Sequence, residues 1–185
     1  MDSPLTLAPS SHLRLAGEGV HLREWSEEDL DALITVYDDP EIARWTPVAS
    51  PFDAPAAHLY LAEAWAARAE GRKVQLAITT DGVLPRGEVL LFRSNADARD
   101  VEIAYGVGAA HRGLGLASRA VRLLSAHAVR HTGARRVVLC IQEANTASAA
   151  VARAAGFTLT DDEPILRTSR GREIALRTWS LAGDP

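Results

Sequence analysis

Cysteine is almost absent from this chain of 185 residues: Cys140 stands alone, which excludes an internal disulfide and any zinc cluster built on cysteines. It lies in the apolar run Val137-Val138-Leu139-Cys140-Ile141, the setting of a small buried hydrophobe rather than of a nucleophile. No apolar run reaches the roughly 18 residues that a membrane span needs. The first residues carry Asp2, Pro4 and Pro9 without the cationic start and apolar core of an export signal. The expectation is a cytoplasmic protein with no membrane partner. A broad basic field is also missing, because the net charge is -4, and this sets nucleic acid aside as the main ligand while leaving room for a local anion site. The six histidines lack metal-ligand spacing; His127 and His131 would merely share a helix face, so no metal is expected.

What is present is globular. Hydrophobic residues make up 47% and charged residues 24% of the chain, far from the composition of disorder. Its length suits one compact domain over residues 1–185, with residues 1–12, a mixture of Pro, Ser and Thr without periodicity, as a tail. Val20 to Arg23 reads as a short strand, and Ser26-Glu27-Glu28-Asp29 as a capping box that opens a helix ended by Pro40. Residues 39–55 hold four prolines together with Trp45 and Phe52, the pattern of an irregular segment with large side chains. Those two aromatics either line a substrate wall or anchor a surface loop to the core.

An alanine-rich helix follows over 56–70, then three strands at 74–79, 88–93 and 101–107 in an antiparallel meander. A helix starting within 112–116 and ending near His131 leads to a buried strand at 136–141, an order that implies a right-handed parallel crossover. A last helix from Asn145 to Gly156 precedes strands near 157–160 and 174–181.

Two stretches carry chemistry. In Arg112-Gly113-Leu114-Gly115-Leu116-Ala117 the glycines admit close approach of a ligand to the backbone, and the helix start aims unpaired N–H groups at it. A diphosphate would fit there, with Arg112 as a charged donor. The spacing is not the dinucleotide fingerprint, which fails at Ser118, nor a Walker loop, because no Gly-Lys-Ser/Thr follows. The second stretch, Asn145-Thr146-Ala147-Ser148 leading to Gly156-Phe157, is a capped helix with a glycine stop. Both helix starts belong at the carboxyl ends of two parallel strands, where open α/β sheets bind ligands.

Together these stretches resemble the acyl-coenzyme A signature of the GNAT superfamily, the GCN5-related N-acetyltransferases. Leu22-Arg23, the acidic segment 26–29 and Asp39-Pro40-Glu41 leading to Trp45 are similar to its branch that acetylates ribosomal-protein N-termini. The resemblance implies a mixed, mostly antiparallel central sheet with one splayed parallel strand pair, flanked by helices. It implies acetyl-coenzyme A or another acyl-coenzyme A as co-substrate, with the diphosphate on the amides of Arg112, Gly113, Leu114, Gly115, Leu116 and Ala117. The pantetheine arm would lie against backbone around Val107, held by Asn145, and Ser148 would lie near the sulfur. Many family members place an acidic tyrosine in the last helix, and this chain has none between Asn145 and Gly156, which moves that role to Ser148. Dimers are common in the family.

An amine acceptor must lose a proton. Glu102 sits in Val101-Glu102-Ile103-Ala104-Tyr105-Gly106-Val107, where alternation sets it on one face with Ala104 and Gly106. It is the candidate base; an ion pair with an arginine such as Arg93 or Arg99, or exposure at the strand start, would equally account for it. The acceptor is then a primary amine, most simply a protein or peptide N-terminus. A small-molecule amine, or a non-catalytic module that senses acyl-coenzyme A, are the competing readings.

Overall fold

The structure is a computed structural model that describes Leu7 and residues 12–182. Its strands are β1 (Arg14–Gly17), β2 (Val20–Glu24), β3 (Lys73–Thr79), β4 (Gly87–Arg93), β5 (Val101–Val107), β6 (Arg136–Gln142), β7 (Thr158–Leu159), β8 (Ile165–Ser169) and β9 (Arg172–Ala182). Its helices are α1 (Leu30–Tyr37), α2 (Pro40–Trp45), α3 (Ala54–Ala69), α4 (Leu116–His131) and α5 (Thr146–Ala154). The strands form one sheet in the order β1-β2-β3-β4-β5-β6-β9-β7, with β8 also on β9. Every neighbouring pair is antiparallel except β5 and β6. This is the mixed, mostly antiparallel sheet with one parallel pair that the motifs implied. No helix among the described residues is long and apolar enough to cross a membrane.

Alternation sorts the strands onto two cores. Val101 and Ile103 of β5, Val137, Leu139 and Ile141 of β6, and Leu22 of β2 pack under α4, whose Ala120, Val121 and Leu124 are sealed. Burying each such leucine contributes roughly 1.5–3 kcal/mol. The opposite face carries the smaller core of Trp25, Leu33, Tyr37, Ile42, Phe52 and Leu61 beneath α1, α2 and α3.

Residues 1–6 and 8–11 of the expected tail lie outside the described residues, but Leu7 is 4% exposed and belongs to the main core. Pro40 does not only end α1; it is the first residue of α2, where its fixed φ suits a helix start and Asp39 caps the amides of Glu41 and Ile42. Two strands, β1 and β8, arise where no strand was expected, because both are completed by a partner across a tight turn: Leu15 against Leu22, and Arg167 against Ile174.

Candidate active site

The parallel strands β5 and β6 pair only at Val101 with Val137 and Glu102 with Val138. From Ile103 onward they diverge. Ser94 N–H donates to Asp100 O at 2.9 Å and Gly108 N–H to Arg86 O at 3.0 Å, so the even-numbered residues of β5 direct their backbone groups to β4. The odd-numbered residues therefore turn theirs toward the gap. Arg112 Nε already donates to Val107 O at 3.1 Å, which leaves the Val107 N–H and both backbone groups of Tyr105 for an extended ligand.

At the open end of the gap stands the glycine loop. Gly113 and Gly115 have φ of 75° and 71°, a region that a Cβ strains, so these positions require glycine. Leu116 then opens α4, whose first N–H groups have no partner within the helix. Arg119 pins the loop from beneath: its guanidinium donates to Leu114 O at 3.0 Å, to Gly115 O at 3.2 Å and to Glu18 O at 3.1 Å. With those carbonyls drawn to Arg119, the amides are left to face an anion. Sequence reasoning missed Arg119; its place one turn into α4 was the available signal.

Arg112 is not a free cation. Its Nη2 donates to Asp39 Oδ1 at 2.5 Å. Burial works against ionised Asp39, but Arg112 and the α2 amides outweigh it and hold the carboxyl below its ordinary value. Arg112 therefore ties the glycine loop to α2.

On the far side of the gap, Asn145 caps α5 by accepting the Ser148 N–H at 3.0 Å, so its amide donors are what it can offer a ligand. Ser148 Oγ lies 2.6 Å from the Tyr105 hydroxyl, which also donates to Ser148 O at 3.0 Å. Burial first, relieved in part by Ser148, pushes the Tyr105 phenol up to about 12, so it stays protonated at neutral pH. Ser148 belongs to a readable sequence motif and Tyr105 does not, because nothing local marks a contact across 43 residues.

The opposite face of β5, carrying Glu102, Ala104 and Gly106, is packed by α2. Ile42 of α2 covers Gly106 so closely that a Cβ there would meet Ile42 Cδ1 at 3.0 Å. Trp45, one turn on, is half-buried; its Nε1 donates to Glu41 at 3.1 Å and Arg44 stacks 4.6 Å from its ring. Phe52 does not join it. It is 1% exposed, with ring centroids 5.2 Å from Tyr37 and 5.7 Å from Tyr60, so it anchors the loop from within rather than facing a cleft. The tip of the β8–β9 hairpin closes over this segment, where Arg170 Nη2 donates to Val48 O at 2.5 Å.

Glu102 is 3% exposed on this face, and Arg167 of β8 grips it with two bonds of 3.2 and 2.8 Å. The partner is neither Arg93 nor Arg99. Cys140 lies beside the pair, its thiol pushed up to about 12 chiefly by burial and then by Glu102, which leaves it inert. A cavity of about 170 Å³ lined by Asp97, Asp100, Arg136 and Cys140 opens here, at the closed end of the strand pair and away from the glycine loop. A second acid escaped sequence reasoning. Glu88, opposite Gly106 in the β4–β5 register, is fully buried and takes bonds from Trp25 Nε1 at 2.7 Å, Tyr60 at 2.5 Å, Tyr37 and Gln75. Its signal was a lone carboxylate in the apolar strand Gly87–Arg93.

Comparison with known proteins fits this geometry. Residues 20–158 match the family model of the acetyltransferase (GNAT) domain. No curated protein sequence matches the chain. Among solved structures, RimJ of Mycobacterium smegmatis in complex with CoA-disulfide is similar with a TM-score of 0.76 at 20% identity, over 96% of this chain and 90% of that one. RimL, a ribosomal L7/L12 alpha-N-protein acetyltransferase in complex with coenzyme A, is similar with 0.76 at 18%, over 92% and 98%. The microcin C7 self-immunity acetyltransferase MccE, in complex with acetyl-CoA and AMP, gives 0.75 at 17%, over 90% and 93%.

Proposed function

Because the chain belongs to the GNAT acetyltransferase family, we propose that it moves an acetyl or other acyl group from acyl-coenzyme A to a primary amine, most simply the N-terminus of a protein or peptide, as a single domain. The observation that carries this reading is the gap between β5 and β6, with an open strand edge on one side and a helix N-terminus with two left-handed glycines at its mouth. A diphosphate fits the amides of residues 113–117, since the Arg112 N–H, expected to join them, donates to Ala109 O at 3.4 Å, and an extended arm fits along Tyr105 and Val107, with the amide of Asn145 opposite. The ribosomal substrate of RimL favours a protein N-terminus for this chain, and α2 with Trp45 forms the wall against which such a segment would lie.

Transfer is direct. The amine nitrogen attacks the thioester carbonyl, a backbone N–H of β5 receives the developing oxyanion, the C–S bond breaks and Ser148 Oγ–H meets the leaving sulfur. Glu102 is the proposed base. It stands three residues from Tyr105, about 10 Å along the strand, so its route to the amine runs through water. The double bond from Arg167 favours a second reading, in which Glu102 fastens the β8–β9 hairpin to the sheet and the amine loses its proton to solvent.

Acceptor-dependent thiol release from several acyl donors, measured against a panel of amines and N-terminal peptides, tests the activity. Acetyl-coenzyme A at a hundred times its dissociation constant should stabilise the fold by about 2.7 kcal/mol. Gly115→Asp should abolish that gain, since it sets a charge and a Cβ where the diphosphate needs bare amides. A folded Gly115→Asp variant with an undiminished thermal shift would place the donor elsewhere.

A further inference from the structure

The Tyr105 hydroxyl reaches Ser148 twice, at the carbonyl oxygen and at Oγ, and each of the two hydroxyls has one proton to give. Two arrangements satisfy the pair. In one, Tyr105 donates to Ser148 O, and the serine proton is spent on the Tyr105 oxygen. In the other, Tyr105 donates to Ser148 Oγ, and the serine proton is released toward the gap. The two differ only by rotation of hydroxyls. We propose that Tyr105 is a positioning residue for acyl transfer, turning its proton from the Ser148 carbonyl to Ser148 Oγ so that the serine hydroxyl can donate to the departing sulfur. This rests on the reading of Ser148 as the group that meets the sulfur.

Geometry places the exchange where it is needed. Tyr105 is a β5 residue whose backbone turns to the gap and whose ring packs against the core under α4, so its hydroxyl cannot swing away. Ser148 is fixed in turn by the Asn145 cap on its own amide. Among the described residues, no charged side chain is bonded to either hydroxyl, so the pair is a neutral donor chain. The phenol stays protonated throughout, since burial holds it up to about 12, well above a thiol near 8.5. No net transfer out of the pair is required. The C–S bond breaks, sulfur leaves with the electron pair as a hydrogen-bonded thiolate, and the proton that finally neutralises it is the one shed by the attacking amine and carried through solvent.

The test uses Tyr105→Phe, Ser148→Ala and the double variant in the full chain, with acetyl-coenzyme A and whichever amine proves best. Tyr105→Phe should lower kcat about 10²-fold with the donor KM unchanged. The double variant should be no slower than the slower single variant, as for groups acting in series. The thiol pKa of bound coenzyme A, read from the ultraviolet absorbance of its thiolate, should rise in both single variants. Acetyl-seleno-coenzyme A, whose leaving group needs less help, should recover most of the lost rate. Wild-type turnover and thiol pKa in folded Tyr105→Phe would overturn the proposal, as would losses that multiply in the double variant. If Ser148→Ala alone is silent in both readouts, the Ser148 reading fails and this inference with it. If Gly115→Asp keeps its coenzyme A shift, the donor site fails independently.

Discussion

Glu88 on β4 and Glu102 on β5 face the same side of the sheet and are both nearly sealed from solvent, yet their surroundings are opposite in kind. Glu102 meets a guanidinium, which brings a full charge and two parallel donors. Glu88 meets only neutral groups: an indole, two phenols and an amide. Those donors offset burial only in part, and the Glu88 carboxyl is pushed up from its ordinary value. The same burial, with Glu88 as a charged neighbour, pushes the Tyr37 and Tyr60 phenols up too, so both keep their protons as donors. One acid is thus built into a cooperative hydrogen-bond network within the second core, and the other is clasped by an arginine of the β8–β9 hairpin at its edge.

Substitution should separate the two. The largest effect is expected from Glu102→Gln, which should cut turnover by about 10²–10⁴-fold while the coenzyme A thermal shift persists. Steady-state rates across the pH range decide it. Unchanged rates would assign Glu102 to fastening the hairpin, and the comparison would become one between two structural acids. Glu88→Ala should act on stability instead, costing roughly 3–5 kcal/mol, because it strands buried donors and opens a cavity. Urea denaturation measures this, and a loss below about 1 kcal/mol would show that the network relaxes around the gap.

A subtler contrast lies in Glu88→Gln. The folded chain holds the Glu88 proton more tightly than the unfolded chain does, so this carboxyl removes stability as pH rises from about 4.5 through its raised folded value. In the variant that downward contribution should vanish. The stability difference between variant and wild type should therefore grow in the variant's favour over that window and then level off. A difference that is flat from pH 4 upward would mean that Glu88 ionises as readily as it does in water. The smallest effect is expected at Trp45, which flanks both acids' face without being sealed. Trp45→Ala should raise the acceptor KM roughly tenfold, or 1.4 kcal/mol, with the donor KM and the fold nearly unchanged. Lost stability with unchanged kinetics would make Trp45 an anchor like Phe52.

Much of the fold was legible because it is locally encoded. β5 spans Val101–Val107 as alternation implied, and α4 begins at Leu116 after the glycines and ends at His131 before Gly133, which takes a φ of 69°. The strands β1 and β8 were not legible, since short half-exposed strands gain order only from their hairpin partners. At the site, the glycine loop and the Asn145 cap could be read from residue type and spacing. The partners could not. Arg167 reaches Glu102 across 65 residues and Trp25 reaches Glu88 across 63, and no spacing rule connects such positions before the sheet forms. Aromaticity near a proline-rich loop likewise did not distinguish Trp45, which stays near the surface, from Phe52, which is drawn inside.

The single oxygen Oδ1 of Asp39 receives the amides of Glu41 and Ile42 at 3.0 Å each as well as the guanidinium of Arg112. One atom therefore belongs at once to the proposed seat of the donor and to the proposed wall of the acceptor. A ligand that draws Arg112 toward its own phosphates weakens a bond at the start of α2. By thermodynamic reciprocity, whatever presses on α2 must change the affinity for that ligand by the same factor. On the proposed placement of the two substrates, which meet at only one pair of atoms in the reaction, each would sense the other through the carboxylate of Asp39.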